Sequence, residues 1–472
     1  MAYLHDLTAL EQAAAIRAGE LSPVELVDHY LARIERINTI VGAFVTVTAD
    51  RARAAAREAE EAVRAGADLP PLHGVPTAIK DLNLTAGVRT TLGSVTYADF
   101  VPAVDDHVVT LLRAAGTISL GKTNTPEFGL PSYTEPEVAP PARTPWDLGR
   151  SAGGSSGGAA AAVSAGLVPF AQGSDGGGSV RIPASVCGLF GVKVSRGRVS
   201  NGPLRGDING LGWSGPLARS VADAAAMLDA MAVPMPGDPH WAAPPPRPFL
   251  SYAAPDASTD RLRIGRYRAP GVIEDSVHPD CVAAYEYASS LLEKLGHEVE
   301  DIEPPFGPDA MPQFLKIWAV GAALTPVDPA DEPRLRPFTR YLREQGRATS
   351  GPDYCAALGD LQGQSRRAIA STATYDAVLT PTLAEPPAPV GGLRDDADPA
   401  ADLARQVAFT PFTAVYNMTG QPAVNVPLHW TEGGLPIGVM LVGRPADEAT
   451  LLGLSAQLEA AAPWRDRLPP GW

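Results

Sequence analysis

The sequence predicts an α/β protein, a β-sheet with helices packed on both faces. From about residue 70, short apolar runs bounded by Gly and Pro recur: VPTAIK, TISLGK, LVPFAQG and GLFGVKVS. Helical stretches such as VVTLLRAAG and the alanine-rich 159–165 fall between them. Two further apolar runs, PAVNVPL and LPIGVMLVG, return near the end. Strands alternating with helices bury both faces of one sheet.

Residues 1–69 read as helices. Ser22, Pro23 and Glu25 make a helix start: a capping hydroxyl, a proline in the first turn and a reciprocating acid. Val27, Leu31 and Ile34 then keep a 3–4 spacing, one apolar face. Residues 51–67 read as an alanine- and glutamate-rich helix stopped by Gly66. In VPTAIK, alternation puts Ala78 and Lys80 on one face and Thr77 and Ile79 on the other. The run 159–165 follows a glycine-rich turn and ends at Gly166, a tightly packed helix of small residues. Ser220 caps VADAAAMLDAM. Proline-rich connectors occupy 235–260 and 385–400. Between them RLRIGRYR reads as a strand, 281–295 as a helix, and helical material runs to 374, with no chemistry attached. The two late apolar runs read as a strand pair, followed by a last helix over 448–461. No internal repeat is present.

Bulk properties exclude several classes. The 472 residues are 45% hydrophobic and 19% charged, ample for a buried core. The net charge of −15, with no basic tract, argues against nucleic acid or an anionic membrane as partner. Three scattered cysteines without a CxxC indicate neither a disulfide framework nor a zinc site. The N-terminus carries early acids and no apolar core, unlike a signal peptide. No apolar stretch approaches the ~20 residues that span a bilayer. A cytoplasmic protein is expected.

Two short motifs mislead. Gly116-TISL-Gly121-Lys122-Thr123 fits the phosphate-loop pattern, but a helix precedes it and TISL is itself β-prone. Gly153, Ser155 and Gly157 fit GxSxG, but what precedes is loop (RTPWDLGRSA), and His240, His278, His297 and His429 sit in ordinary settings. Two serine-bearing glycine runs, GGSSGGAAAA and GSDGGGSVRIPAS, carry more. Taken alone, Ser155 and Ser179 each read as helix caps. A cap does not need the three glycines Gly176, Gly177 and Gly178 before Ser179. An oxyanion nest does, because unobstructed N–H groups must converge on one developing charge. Lys80 reads alone as an exposed strand end. Held inward, it would lose hydration, its pKa would fall, and it could act as a base.

Together these residues resemble the amidase signature family. Lys80 in HGVPTAIKDL, the GGSSGG run, and GSDGGGSVRIPASVCG with Ser179 lying 24 residues after Ser155 carry the likeness. GKTNTPEFG, GLGWSGPLARSVAD, NMTGQPAVNVPL and GLPIGVMLVG extend it. It implies one large domain with a mixed, twisted sheet: helices over 1–69, the catalytic core over 70–230, a variable substrate-side region over 231–404 and a return to the sheet over 405–472. It implies Ser179 as nucleophile, Ser155 as the bridging serine after a cis peptide bond, and Lys80 as the base acting through Ser155. The oxyanion hole would use Gly176, Gly177 and Gly178, joined by Ser179. No metal or organic cofactor is implied, and homodimers are common in the family.

Two positions depart from the family pattern. Gly176 stands where a threonine or isoleucine is usual, which leaves that wall of the hole without a side chain and the acyl site open. Val194 replaces a common proline. TNTPE, TEPE, RTPW and SVRIPASVCGL are similar to hydrolases of 6-aminohexanoate cyclic dimer. The expected activity is hydrolysis of a small, aryl or cyclic amide, with carbamates (a urethanase activity) alongside. The alternative is the glutaminase subunit of a tRNA-dependent amidotransferase, which shares the triad.

Overall fold

Local signals decide where the helices start. Ser22 Oγ accepts from the N–H groups of Val24 and Glu25 and opens the helix Pro23–Val41. The Ser22 hydroxyl also donates to Glu60 Oε1 at 2.5 Å. Val27, Leu31 and Ile34 are buried on one face, as their spacing predicts. Ser220 caps Val221–Met231 through Asp223 N–H. The computed structural model describes residues 3–204, 208–256, 260–274 and 277–472.

Eleven strands join in one sheet among the described residues. They are β1 (Phe44–Val47), β2 (Pro76–Lys80), β3 (Ile118–Thr123), β4 (Phe170–Asp175), β5 (Phe190–Lys193), β6 (Trp213–Ala218), β7 (Arg263–Arg266), β8 (Glu298–Asp301), β9 (Ala377–Pro381), β10 (Ala423–Trp430) and β11 (Pro436–Gly443). Their order is β1-β3-β2-β4-β6-β5-β10-β11-β9-β7-β8. β2 runs parallel to β3 and β4, β7 runs parallel to β8 and β9, and the strands between are antiparallel, so the sheet is mixed. Every stretch of the chain contributes: β1 from the first 69 residues, β7 to β9 from 231–404, and β10 and β11 from the end.

Alternation along β2 separates two cores. Ile79 packs with Val108, Val109 and Leu112 on one face. Ala78 packs with Ala159, Ala160, Ala161 and Ala162 of the helix Gly157–Ser164 on the other. The last helix, Glu448–Ala461, lies where the sequence puts it. LVPFAQG corresponds to β4 shifted toward its C-terminal end, because the chain turns at Gly166 and Leu167 before it extends; the shift carries Ser174 and Asp175 onto the strand end. β1, β6, β8 and β9 are additions to the sequence reading. The phosphate-loop pattern is strand β3, and Lys122 is buried beside Asp81. In the first connector, Phe249–Tyr252 forms a turn tied to the Asp229 carboxylate; its residues 257–259 lie outside the described ones.

Candidate active site

Lys80 ends β2 with its side chain fully buried. Nζ donates to Ser155 Oγ at 2.8 Å, to Ser174 Oγ at 3.0 Å and to Ser174 O at 3.3 Å. Burial lowers its pKa from 10.5 to about 7, against a smaller upward pull from Asp175. None of its hydrogen bonds goes to a carboxylate, so part of the population is neutral near pH 7 and can accept a proton.

The two serines of GGSSGG divide. The Gly154–Ser155 peptide bond is cis. A Cβ on Gly154 would stand 2.7 Å from Tyr133 N, so only glycine lets this turn lie against the Ser132–Tyr133 backbone. Ser155 O accepts from Thr125 Oγ1, and its hydroxyl faces Lys80. Ser156, not Ser155, stands at the N-cap of Gly157–Ser164, and its Oγ bonds both N–H and C=O of Ser174.

The second run is organised by a residue whose role the sequence reading missed. Asp175, at the end of β4, accepts from Gly178 N–H at 2.8 Å, Val180 N–H at 3.1 Å and Arg181 N–H at 3.4 Å. It therefore caps the helix Arg181–Cys187, and Ser179 does not. Arg181 pairs with it through Nε and Nη2, both at 2.9 Å, and Asn417 Nδ2 adds a bond at 3.0 Å. Burial alone would raise the Asp175 pKa; Arg181, joined by Lys193 and Asn417, outweighs it and holds the carboxyl well below the usual range. The position was visible in GSDGGGS as an acid just before a helix start; Arg181 and Asn417 had no such signal.

Two expectations need correction. Gly178 N–H is taken by Asp175, which removes it from the predicted hole. Gly178 instead shapes the loop: its φ is +132°, and a Cβ there would meet Thr413 Oγ1 at 2.4 Å. Among the described residues, the N–H groups of Gly176, Gly177 and Ser179 have no protein acceptor. The open wall at Gly176 is also absent. A Cβ on Gly176 would lie 3.1 Å from Trp318 Cζ3, so an indole from the middle region fills the space.

Ser179 is nearly buried, and its C=O accepts from Ser156 N–H at 3.2 Å, which ties the two glycine runs together. It lines a cleft of about 540 Å³, open mouth included. One wall is a face of the helix Ala310–Leu324: Met311, Phe314, Leu315 and Trp318. Leu130 to Ser132 and residues of the helix Pro399–Phe409 complete much of the rest of the lining. Among the described residues no Asp, Glu, Lys or Arg lines this cleft. Among the described residues no group of three His, Cys, Asp or Glu could hold a metal ion, and no helix is long and apolar enough to cross a membrane.

A mixed sheet that buries a lysine, hydrogen-bonded to serines and to no carboxylate, next to a run of glycines is an arrangement suited to proton transfer. Comparison with known proteins supplies the family. The family model described as Amidase matches residues 25–452. The chain is 40% identical to the "Putative amidase AmiB2" of Mycobacterium tuberculosis, covering 98% of this chain and 97% of that protein. It is 36% identical to the "Acylamidase" of Rhodococcus erythropolis, covering 99% and 98%. The solved structure of 6-aminohexanoate cyclic dimer hydrolase superposes with a TM-score of 0.90 at 33% identity, over 100% of this chain and 99% of that one. The chain belongs to the amidase signature family and is a hydrolase of amide C–N bonds.

Proposed function

We propose that this amidase hydrolyses neutral, largely apolar carboxylic amides, carbamates included, through an acyl-enzyme on Ser179. The hydrogen bond from the buried, carboxylate-free Lys80 to Ser155 Oγ carries the reading. Lys80 Nζ takes the Ser155 proton, and Ser155 Oγ takes that of Ser179. Ser179 Oγ adds to the carbonyl carbon, and the displaced C=O electron pair collects on the oxygen. The N–H groups of Gly176, Gly177 and Ser179 receive that charge, held by the Asp175–Arg181 pair behind them. Collapse expels the amine, which recovers the proton from Lys80 through Ser155. Water then repeats the sequence and releases the acid. Neither metal nor organic cofactor enters this scheme.

The cleft also bears on the alternative. Free glutamine carries an ammonium and a carboxylate, and burying each without a partner costs several kcal/mol. An uncharged cleft therefore supports a stand-alone amidase over a glutaminase subunit.

The test is trapping. Rapid quench during turnover of an anilide should leave acyl mass on the peptide bearing Ser179, and Ser179→Ala should lower kcat by at least about 10⁴-fold. Acyl mass on Ser155, or turnover restricted to glutamine, would replace this reading.

A further inference from the structure

The hole and the middle region meet at two aromatic rings. Phe314 and Trp318, one turn apart on Ala310–Leu324, are stacked with centroids 5.5 Å apart and planes 20° from parallel. A Cβ on Gly177 would stand 3.2 Å from Phe314 Cζ, and one on Gly176 would stand 3.1 and 3.2 Å from Trp318 Cζ3 and Cη2. Each ring thus lies over one of the two glycines whose N–H groups are open. Glycine at both positions is what lets the rings come this close. Both rings line the Ser179 cleft, and Trp318 is only half-buried.

We propose that Trp318, seated on Gly176 and backed by Phe314, is the specificity-determining surface of this amidase, and that it selects substrates with an aromatic ring next to the scissile carbonyl. The inference rests on the amidase reading of the Ser179 cleft. A carbonyl oxygen on the Gly176 and Gly177 N–H groups brings its carbon substituent beside the ring pair. A flat ring stacks on that surface in an offset arrangement, while a puckered ring of the same size touches it at a few hydrogens. With no charged side chain among the described residues that line the cleft, the face of the substituent is what the walls can read.

Binding and turnover are measured separately. Ser179→Ala keeps the cleft and removes the attacking oxygen, so amides bind without being consumed. Benzamide and cyclohexanecarboxamide, one ring flat and one puckered, are titrated into it by calorimetry. Benzamide should bind about five- to tenfold tighter. The preference should fall to within about twofold when Trp318→Leu is added, persist with Trp318→Phe, and shrink with Phe314→Leu, which removes only the backing ring. Equal binding of the two amides, or a preference that survives Trp318→Leu, overturns the proposal. If the preference is present while the wild-type protein turns over no neutral amide, the stacking surface stands and the amidase reading above fails instead.

Discussion

Residues 70–230 and 231–404 solve different problems with different materials. The first segment places the groups of the proposed mechanism through polar contacts of fixed geometry: Lys80 on Ser155 at 2.8 Å, Arg181 on Asp175 at 2.9 Å, and Gly178 N–H on Asp175 at 2.8 Å. These contacts are buried, where an unmatched partner is expensive, so few residue types will serve. The middle segment contributes β7, β8, β9 and one wall of the cleft. That wall needs only shape and apolar surface, which several residues can supply. Chemistry is therefore all-or-none in the first segment and graded in the second.

The widest gap between them should appear at Lys80. Lys80→Met removes the base and should lower kcat by about 10²–10⁴-fold. Lys80→Arg stays protonated throughout the working range and should do no better. The base is active when neutral, so kcat/KM should rise with pH through about 7 and level off above it. At pH 6 only about a tenth of the lysine is neutral, and at pH 8 about nine tenths. A profile that is flat between pH 6 and 9 would mean that Lys80 is not the titrating base.

A smaller loss is expected one step behind the reacting atoms. Asp175→Asn keeps the shape but leaves the buried Arg181 guanidinium without a counter-charge. Stability should fall by about 3–5 kcal/mol in denaturant titration. Where the protein remains folded, kcat should drop about 10²–10³-fold, because the loop that presents the open N–H groups loses its anchor. KM should move little, since Asp175 does not line the cleft. A rise in KM at unchanged kcat would assign the residue to substrate binding.

The same division explains what the sequence reveals. Ser179 stands out because the three glycines before it have no cheaper explanation, whereas Ser155 and Lys80, alone a cap and a strand end, are singled out by the family resemblance. The helix starts at Ser22 and Ser220 stand out because caps are local chemistry. Two of the four strands it hides have a diluted pattern: β6 carries Pro216 and Gly215 in its middle, and β8 is the charged edge EVED. Phe314 and Trp318 sit in an ordinary apolar helix pattern, and nothing in that pattern says which cleft they face. Gly176 illustrates the limit well. Its lack of a side chain reads as open space, but the space belongs to a residue 142 positions later.

That pairing gives the mildest and most specific prediction. Gly176→Thr inserts a branched side chain where the first atom already lies 3.1 Å from Trp318, so the indole has to move. Overpacking of this kind costs about 1–3 kcal/mol, which should appear as a roughly tenfold loss in kcat/KM. Trp318→Ala alone removes the wall and should weaken binding while sparing kcat. Combined, the two changes relieve each other, because the threonine enters the space the indole leaves. The double variant should recover most of the activity lost in Gly176→Thr, a coupling of about 1–2 kcal/mol in a double-mutant cycle. If the two losses simply add, Gly176 and Trp318 are independent, and the boundary between the chemical core and the substrate wall is sharper than the contact between them implies.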